Sequence, residues 1–557
     1  MVNYGTNLRA PKVDVHDFSM VPKTGVPRSS FRMQTQHKTT MQASVLLPVY
    51  LQEVLPGDSF SLNMTAFCRL ATPLFPIMDQ LDIETAFFFV PNRLVWNHWV
   101  NFQGEQINPA DSISYTIPQV VSPVGGFAQL TIFDWFGLPC TGQTAGGNTI
   151  SISALPFRAY NQIWNQWFRD ENLNNSLGTG ATNTASDIGD GPDPYTNYSV
   201  QKINKRHDYF TSCLPWTQKG GAAITLPLGT SAPIRGIGWN GSPSNTNASS
   251  TNVRENGGIT RNYANSTGLA NWSTNIFMET DSATLATMRP TIFADLTAAT
   301  SATINSLRLA FQTQRLLERD ARGGTRYVEI ILSHFGIRSP DARLQRPEYL
   351  GGGKTPLTIT PVPQTTATGL TGGTSPLGTL AAAGTVIAKH GFNQSFTEHG
   401  HIIGLAWIRS TPGYQQGIRK LWSRLTRYDF YLPVFQALGE QAVLNKEIYS
   451  DGSANDANTF GYQERWAEYR YHPSYTSAYF KSTTTTPLDA WHLVEKFTSL
   501  PTLASTFIGD STSATLQRAL AAGAAAGNQQ ILADLFFDVK AARPMPMYSV
   551  PGMIDHF

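Results

Sequence analysis

From Phe60 to Val90 the chain spells out two strands whose surroundings can be read residue by residue. Phe60, Leu62, Met64, Ala66, Cys68 and Leu70 take every second position, with Ser61, Asn63, Thr65 and Arg69 between them. A strand turns successive side chains to opposite faces, so this alternation predicts a strand with one buried face. Phe67 is the one large apolar residue out of phase. The segment Ala71-Thr72-Pro73-Leu74-Phe75-Pro76 then ends the ladder, because proline has no N–H to donate. Leu81-Asp82-Ile83-Glu84-Thr85-Ala86-Phe87-Phe88-Phe89-Val90 begins alternating and finishes apolar on both faces. Such a run belongs between two layers, which places the start of a β-sandwich core here.

A length of 557 residues implies two or more domains, or one domain with large insertions. Only 14% of the chain is charged, against about 25% in typical globular proteins. With 46 Gly and 34 Pro, this suggests many turns and much surface covered by other protein. The net charge of +2 excludes a chain that is basic throughout. Residues 1–40 nevertheless carry Arg9, Lys12, Lys23, Arg28, Arg32 and Lys38 against Asp14 and Asp17, a local excess of +4. This basic arm can touch phosphate, or it is a solvated terminus. Cys68, Cys140 and Cys213 are odd in number and widely spaced, so neither a disulfide framework nor a zinc site is expected. Met1-Val2-Asn3-Tyr4 opens no apolar leader, and the expectation is a protein folded in a reducing cytosol.

Asn92–Val100 is expected to be a short helix with Trp96, Trp99 and Val100 on one face. A second is expected from Pro156, with Phe157, Tyr160, Ile163, Trp164, Trp167 and Phe168 at helical spacing. Its aromatics read as core in preference to a base-stacking platform. From Asn172 to about Ala302, Asn, Ser, Thr, Gly and Ala dominate, which indicates an elaborated surface insertion or a disordered one. Trp239, Tyr263 and Trp272 favour a loop with its own small core. Residues 303–350 read as a helical hairpin turning at Gly323-Gly324 and capped by Gly336. Arg308, Arg315 and Arg319 share one face of its first helix, more plausibly for salt bridges than for phosphates. Residues Gly351 to Thr385 are again Gly/Thr/Pro-rich. Strands are expected to resume at His401–Arg409 and Tyr462–Tyr471. Pairing between the two ends of the chain implies high contact order, as in Greek-key sandwiches.

Catalytic patterns fail on inspection. Gly353-Lys354-Thr355 ends like a P-loop, but the required glycine five places earlier is Glu348 and the following Pro-rich segment opposes a helix. Glu398-His399-Gly400-His401 offers two imidazoles without partner ligands, so ordinary hydrogen-bonded histidines are expected. There is no Gly-x-Ser-x-Gly elbow. No catalytic residue, metal ligand or cofactor is nominated.

Long motifs resemble the major capsid proteins of the gokushovirus branch of the Microviridae, small phages with single-stranded DNA. The resemblance is carried by Leu62–Phe67, Thr72–Asp79, Phe87–Arg93, Arg206–Trp216, Gln314–Tyr327, Tyr428–Tyr431, Leu438–Glu447, Phe460–Arg465 and Ala542–Phe557, in this order. It implies a mainly β fold: an eight-stranded antiparallel viral jelly-roll sandwich with long inserted loops and several helices. It also implies a homo-oligomeric icosahedral shell in the virion, assembled in the bacterial host cytoplasm and enclosing circular single-stranded DNA. The partners it implies are a small basic DNA-binding protein, an internal scaffolding protein, a DNA pilot protein and a host surface receptor.

The expected organisation is a basic arm over 1–40, first strands and helices over 41–170, and inserted loops over 171–302. The helical hairpin occupies 303–350, and the remaining strands and C-terminal arm 351–557. Arg9, Lys12, Lys23, Arg28 and Arg32 are the candidate nucleic-acid contacts. Within the insertion, 235–291 is the candidate three-fold protrusion, and Trp239, Tyr263 and Trp272 are its candidate host-attachment residues. A β-sandwich glycan-binding or glycan-hydrolysing virion protein is the rival, with Trp239 and Trp272 stacking on sugars.

Overall fold

The computed structural model describes residues 27–180, 182, 184–220, 224, 304–365, 380–521 and 529–548, together with the backbone of six short strands between 234 and 294. The chain divides into two compact units, residues 1–217 with 323–557, and residues 218–322. In the first, four strands follow one another: β1 (Ser29–Met41), β2 (Val45–Val54), β3 (Ser59–Leu70) and β4 (Leu81–Pro91). Far along the chain come β5 (Glu348–Pro356), β6 (Thr358–Pro363), β7 (Leu380–Ser395), β8 (Gly400–Ser410) and β9 (Ile531–Arg543).

These strands build two five-stranded antiparallel sheets. One runs β1-β9-β3-β7-β6; the other runs β5-β4-β8-β2, with the two-residue strand Gln201–Lys202 on its edge. The alternation of β3 holds: its six even-numbered apolar residues are buried. They meet Leu81, Ile83, Phe87 and Phe89 of β4 and Ile402, Ala406 and Ile408 of β8 in one core between the sheets. Aromatic contacts cross that core, with Phe87 and Phe392 centroids 5.4 Å apart and Tyr50 and Phe537 4.9 Å apart.

Every residue of β4 is buried, as its apolar run requires. The odd positions face the inter-sheet core, and Ala86, Phe88 and Val90 face a second core with Ile403, Leu405 and Trp407 of β8. The inserted residues between β4 and β5 supply its roof. Helix α1 (Leu155–Ile163) carries proline in its first turn and continues as a π turn through Trp164–Phe168. Phe157, Tyr160, Ile163 and Trp164 are buried, so these aromatics are core. A third cluster gathers Tyr209, Phe210, Tyr414, Val443, Phe460 and Phe507.

Three local expectations need correction. Asn92–Val100 is not one helix but a 3-10 turn at Asn92–Leu94 and a four-residue helix at Trp99–Phe102. The Asn97 N–H donates to the Ile188 carbonyl at 2.9 Å, so that donor is lost to a helical ladder. The strand expected over Tyr462–Tyr471 stops at Glu464. Trp466 adopts φ 69°, anchors its indole on the Phe435 carbonyl at 3.1 Å, and precedes a 3-10 turn at Ala467–Tyr469. Finally, the Gly/Thr/Pro-rich stretch from Gly351 contains most of β5, all of β6 and the start of β7. Glycine is needed there for close approach: a Cβ on Gly351 would lie 2.7 Å from the Gly391 carbonyl oxygen of the other sheet.

Helix α2 (Ile304–Arg322) belongs to the second unit and α3 (Tyr327–Phe335) to the first. Gly336 caps α3 at φ 69°. Arg308, Arg315 and Arg319 are exposed on α2. The second unit also contains three nested antiparallel pairings: Ile234–Arg235 with Phe293–Ala294, Ile237–Asn240 with Asn275–Met278, and Thr251–Arg254 with Thr260–Tyr263.

Candidate assembly and nucleic-acid surfaces

Charged groups buried in the first unit fasten the insertion within itself and to the sheets. Arg158 on α1 is fully buried and grips Asp193 with two 2.7 Å hydrogen bonds. It also donates to the carbonyls of Val95 (2.9 Å) and Gly189 (2.8 Å), while the Tyr198 hydroxyl donates to Asp193 at 2.5 Å. Burial pulls the guanidinium pKa down, but Asp193 outweighs it and the net shift is upward.

A second network lies on β4. Glu84 accepts from Arg206 at 2.5 Å, Arg409 at 2.8 Å and the Trp407 indole at 3.0 Å. Asp82 accepts from Arg206 at 2.7 Å and pairs with Lys354 at 3.0 Å. Burial raises both carboxyls, yet the cations hold each below its ordinary range. Every charge is met by a fixed partner, an arrangement suited to holding parts together.

The two histidines of the Glu398–His401 segment have separate settings. The His399 ring packs on Trp99, centroids 5.6 Å apart. Burial lowers His401 to about 4. Among the described residues no group of three His, Cys, Asp or Glu side chains is placed to hold a metal.

Two surfaces stand apart. The first is an aromatic and basic loop region over 418–438 and 469–479. Trp422, Leu425, Tyr428, Val434 and Tyr475 are more than 60% exposed there, an extent of apolar surface expected of a contact site. A cavity of about 310 Å³ opens beside it, lined in part by Arg419, Arg424, Tyr469 and Tyr475.

The second is the open face of the β1-β9-β3-β7 sheet, opposite its buried face. Register aligns its outward residues in rungs: Thr40-Leu532-Arg69-Thr385, Lys38-Asp534-Phe67-Ile387, Gln36-Phe536-Thr65-Lys389, Gln34-Asp538-Asn63-Gly391 and Arg32-Lys540-Ser61-Asn393. Phe67, out of phase in the sequence, therefore sits beside Ile387 on this face.

Arg32 lies at the margin of this face, exposed and forked onto Asp538 by two 2.9 Å hydrogen bonds that raise its pKa. Arg28, just before β1, is exposed and donates to the Gly57 carbonyl. Arg9, Lys12 and Lys23 lie outside the described residues, as does Trp272. Trp239 pairs in register with Ile276, and Tyr263 with Thr251, within the nested hairpins; their side chains lie outside the described residues. The structure thus brings Arg28 and Arg32 to one end of a sheet. Arg69, Lys389 and Lys540 on that sheet were not nominated from sequence, and Lys38 was counted in the basic arm without being named a contact; the marker was their place among polar positions between buried ones.

Among the described residues no helix is long and apolar enough to cross a membrane. Residues 19–553 match the family described as Capsid protein (F protein). The chain is 45% identical to "Capsid protein VP1" of Bdellovibrio phage phiMH2K, over 97% of this chain and 98% of that one. It is 40% identical to "Capsid protein VP1" of Chlamydia phage 1 over 98% and 99% of the two chains, and 37% identical to that of Spiroplasma virus 4 over 97% and 98%. The chain belongs to this family of phage capsid proteins.

Proposed function

We propose that this chain is the major capsid subunit of a small single-stranded DNA phage of the gokushovirus branch, located in the virion and self-assembling into an icosahedral shell. The observation that carries the reading is end-to-end similarity to three phage capsid proteins, with no large part of either chain left over. Its work is structural: identical surfaces must repeat and close, which needs complementary contacts in place of a reacting group. The exposed aromatics of 418–438 and 469–479 serve subunit contacts in this reading.

The fold is read as a viral jelly roll. Setting aside β6 and the Gln201–Lys202 edge, the eight remaining strands in chain order form sheets ordered 1-8-3-6 and 5-4-7-2. This order supports the reading, because every consecutive pair except 4 and 5, which are neighbours in one sheet, crosses between the sheets as in two interleaved Greek keys. The basic arm with Arg9, Lys12, Lys23, Arg28 and Arg32 is assigned to the particle interior, against circular single-stranded DNA. Residues 235–291, with Trp239, Tyr263 and Trp272, are assigned to an external protrusion for a host receptor. A small basic DNA-binding protein, an internal scaffolding protein and a DNA pilot protein complete the set of partners.

Electron microscopy of the full-length protein co-expressed with the scaffolding protein of the same phage tests the reading. Uniform closed icosahedral particles are expected. Particles with the basic arm on the outer surface would reject the interior assignment, and only monomers or small oligomers under these conditions would reject the capsid reading.

A further inference from the structure

The two sheets differ in what covers them. The second is roofed by the insertion that contains α1, whereas the first leaves the rungs of β1-β9-β3-β7 exposed. Those rungs carry five exposed cations, Arg32, Lys38, Arg69, Lys389 and Lys540, against two half-buried carboxylates, Asp534 and Asp538. Arg32 takes Asp538 and the Gln36 amide takes Asp534 at 2.8 Å. The local excess is positive although the chain as a whole is almost neutral. Phe67 is 44% exposed and Phe536 40% exposed, on adjacent strands and adjacent rungs. Rungs repeat about every 6.8 Å along a strand, so the two rings offer neighbouring flat platforms between the basic side chains. At one end of the face Lys38, Phe67, Arg69 and Leu532 help line a groove of about 630 Å³, which Asp134 and Asp534 also border.

We infer that this open sheet face is a binding surface for single-stranded nucleic acid, with bases stacking on Phe67 and Phe536 and phosphates meeting Lys38, Arg69, Lys389 and Lys540. The inference rests on the capsid reading and adds to it the surface on which the genome would lie. Sheet-borne aromatics can stack unpaired bases without reading their sequence, while surrounding cations follow the backbone. A second copy of the chain is a poorer fit, since like-charged faces would meet. The basic arm enters β1 at the margin of the same face, which gives the charge continuity.

The test is ultraviolet cross-linking of DNA-filled particles of the full-length protein, with cross-linked peptides mapped by mass spectrometry. Attachment to the peptides carrying Phe67 and Phe536 is expected. Cross-links confined to other peptides in filled particles would overturn the inference while leaving the capsid reading intact. Failure to form particles would remove both.

As an independent measurement, Phe67→Ala and Phe536→Ala should each weaken binding of the full-length subunit to a dT20 oligonucleotide by roughly five-fold or more. Lys389→Gln should lower the slope of log affinity against log salt by about 0.7. All three side chains are exposed, so unchanged melting temperatures are expected; unchanged affinity and salt slope would overturn the assignment. Equal protection of Lys38, Lys389 and Lys540 from amine labelling in empty and filled shells would show that protein covers the face, and would overturn it too.

Discussion

Arg158→Met is the sharpest probe of how the roof over the second core is held together. The substitution keeps an unbranched apolar stem but removes two hydrogen bonds to Asp193 and one each to the carbonyls of Val95 and Gly189. Both charged side chains are fully buried, so water cannot replace the lost partner without opening the second core. Asp193 would keep only the Tyr198 hydroxyl among the side chains that bond it here. Removing one partner of a buried pair costs about 3–5 kcal/mol, most of it the stranded charge. The assay is urea unfolding of the full-length subunit followed by tryptophan fluorescence, to which the fully buried Trp96 in the same cluster contributes. A lower midpoint at unchanged slope is expected. Arg158→Met combined with Asp193→Asn should recover part of the loss, because no charge is then left unpaired. A loss below about 1 kcal/mol for the single variant, or no recovery in the double one, would refute the fastening argument.

Burial holds His401 at about 4, below its ordinary 6.5. The unfolded chain therefore takes up this proton first, and His401 should reduce stability progressively as the pH falls from 6.5 towards 4. Urea midpoints at pH 7.5 and 5 should differ less in His401→Gln than in the parent protein. Gly391→Ala would place a Cβ 2.2 Å from the Leu62 carbonyl oxygen at the β3–β7 pairing, so a cost of about 1–3 kcal/mol is expected, read as a lower melting temperature. Deleting 235–291 should leave shell assembly largely intact and reduce attachment to host cells, scored by particle yield and by adsorption; loss of shells would place the segment in an essential contact.

The strands that could be read from sequence were those with large apolar residues at a steady period. In β3 the pattern is uninterrupted, and in β4 a closing run of Phe87-Phe88-Phe89-Val90 announces two covered faces. β7 escaped because its inward positions include Ala382, Gly384, Ala388 and His390, too small or too polar to mark a period. Its fit depends on that smallness: a Cβ on Gly384 would come within 2.7 Å of Leu70 Cβ. Trp466 looked like a strand residue because bulky aromatics suit strands, but its left-handed backbone is set by tertiary anchoring. Arg158 drew no notice in the sequence, because Asp193 lies thirty-five residues on and no local spacing links the two. Of the nucleic-acid candidates, Arg28 and Arg32 could be nominated because their charges cluster along the chain. Lys389 and Lys540 are brought to the same sheet only by pairing across hundreds of residues.

The unequal coverage of the two sheets separates residues that make the fold from residues free to meet a partner. On β4 a charge is tolerated only where the roof or the neighbouring strand supplies an answer, as Arg206 and Arg409 respectively do for Glu84. A new charge at Phe88 or Ala86 would have no such answer and would act on stability. On β3 the inward positions carry the same constraint, but the outward ones face no roof among the described residues. Charge changes at Arg69, Lys389 or Lys540 should act on binding before they act on folding. The open face can therefore vary in charge while the core between the sheets stays fixed. The order of the strands makes this possible, because β9, the last strand, is inserted between β1 and β3 and closes the sheet without adding a layer over it.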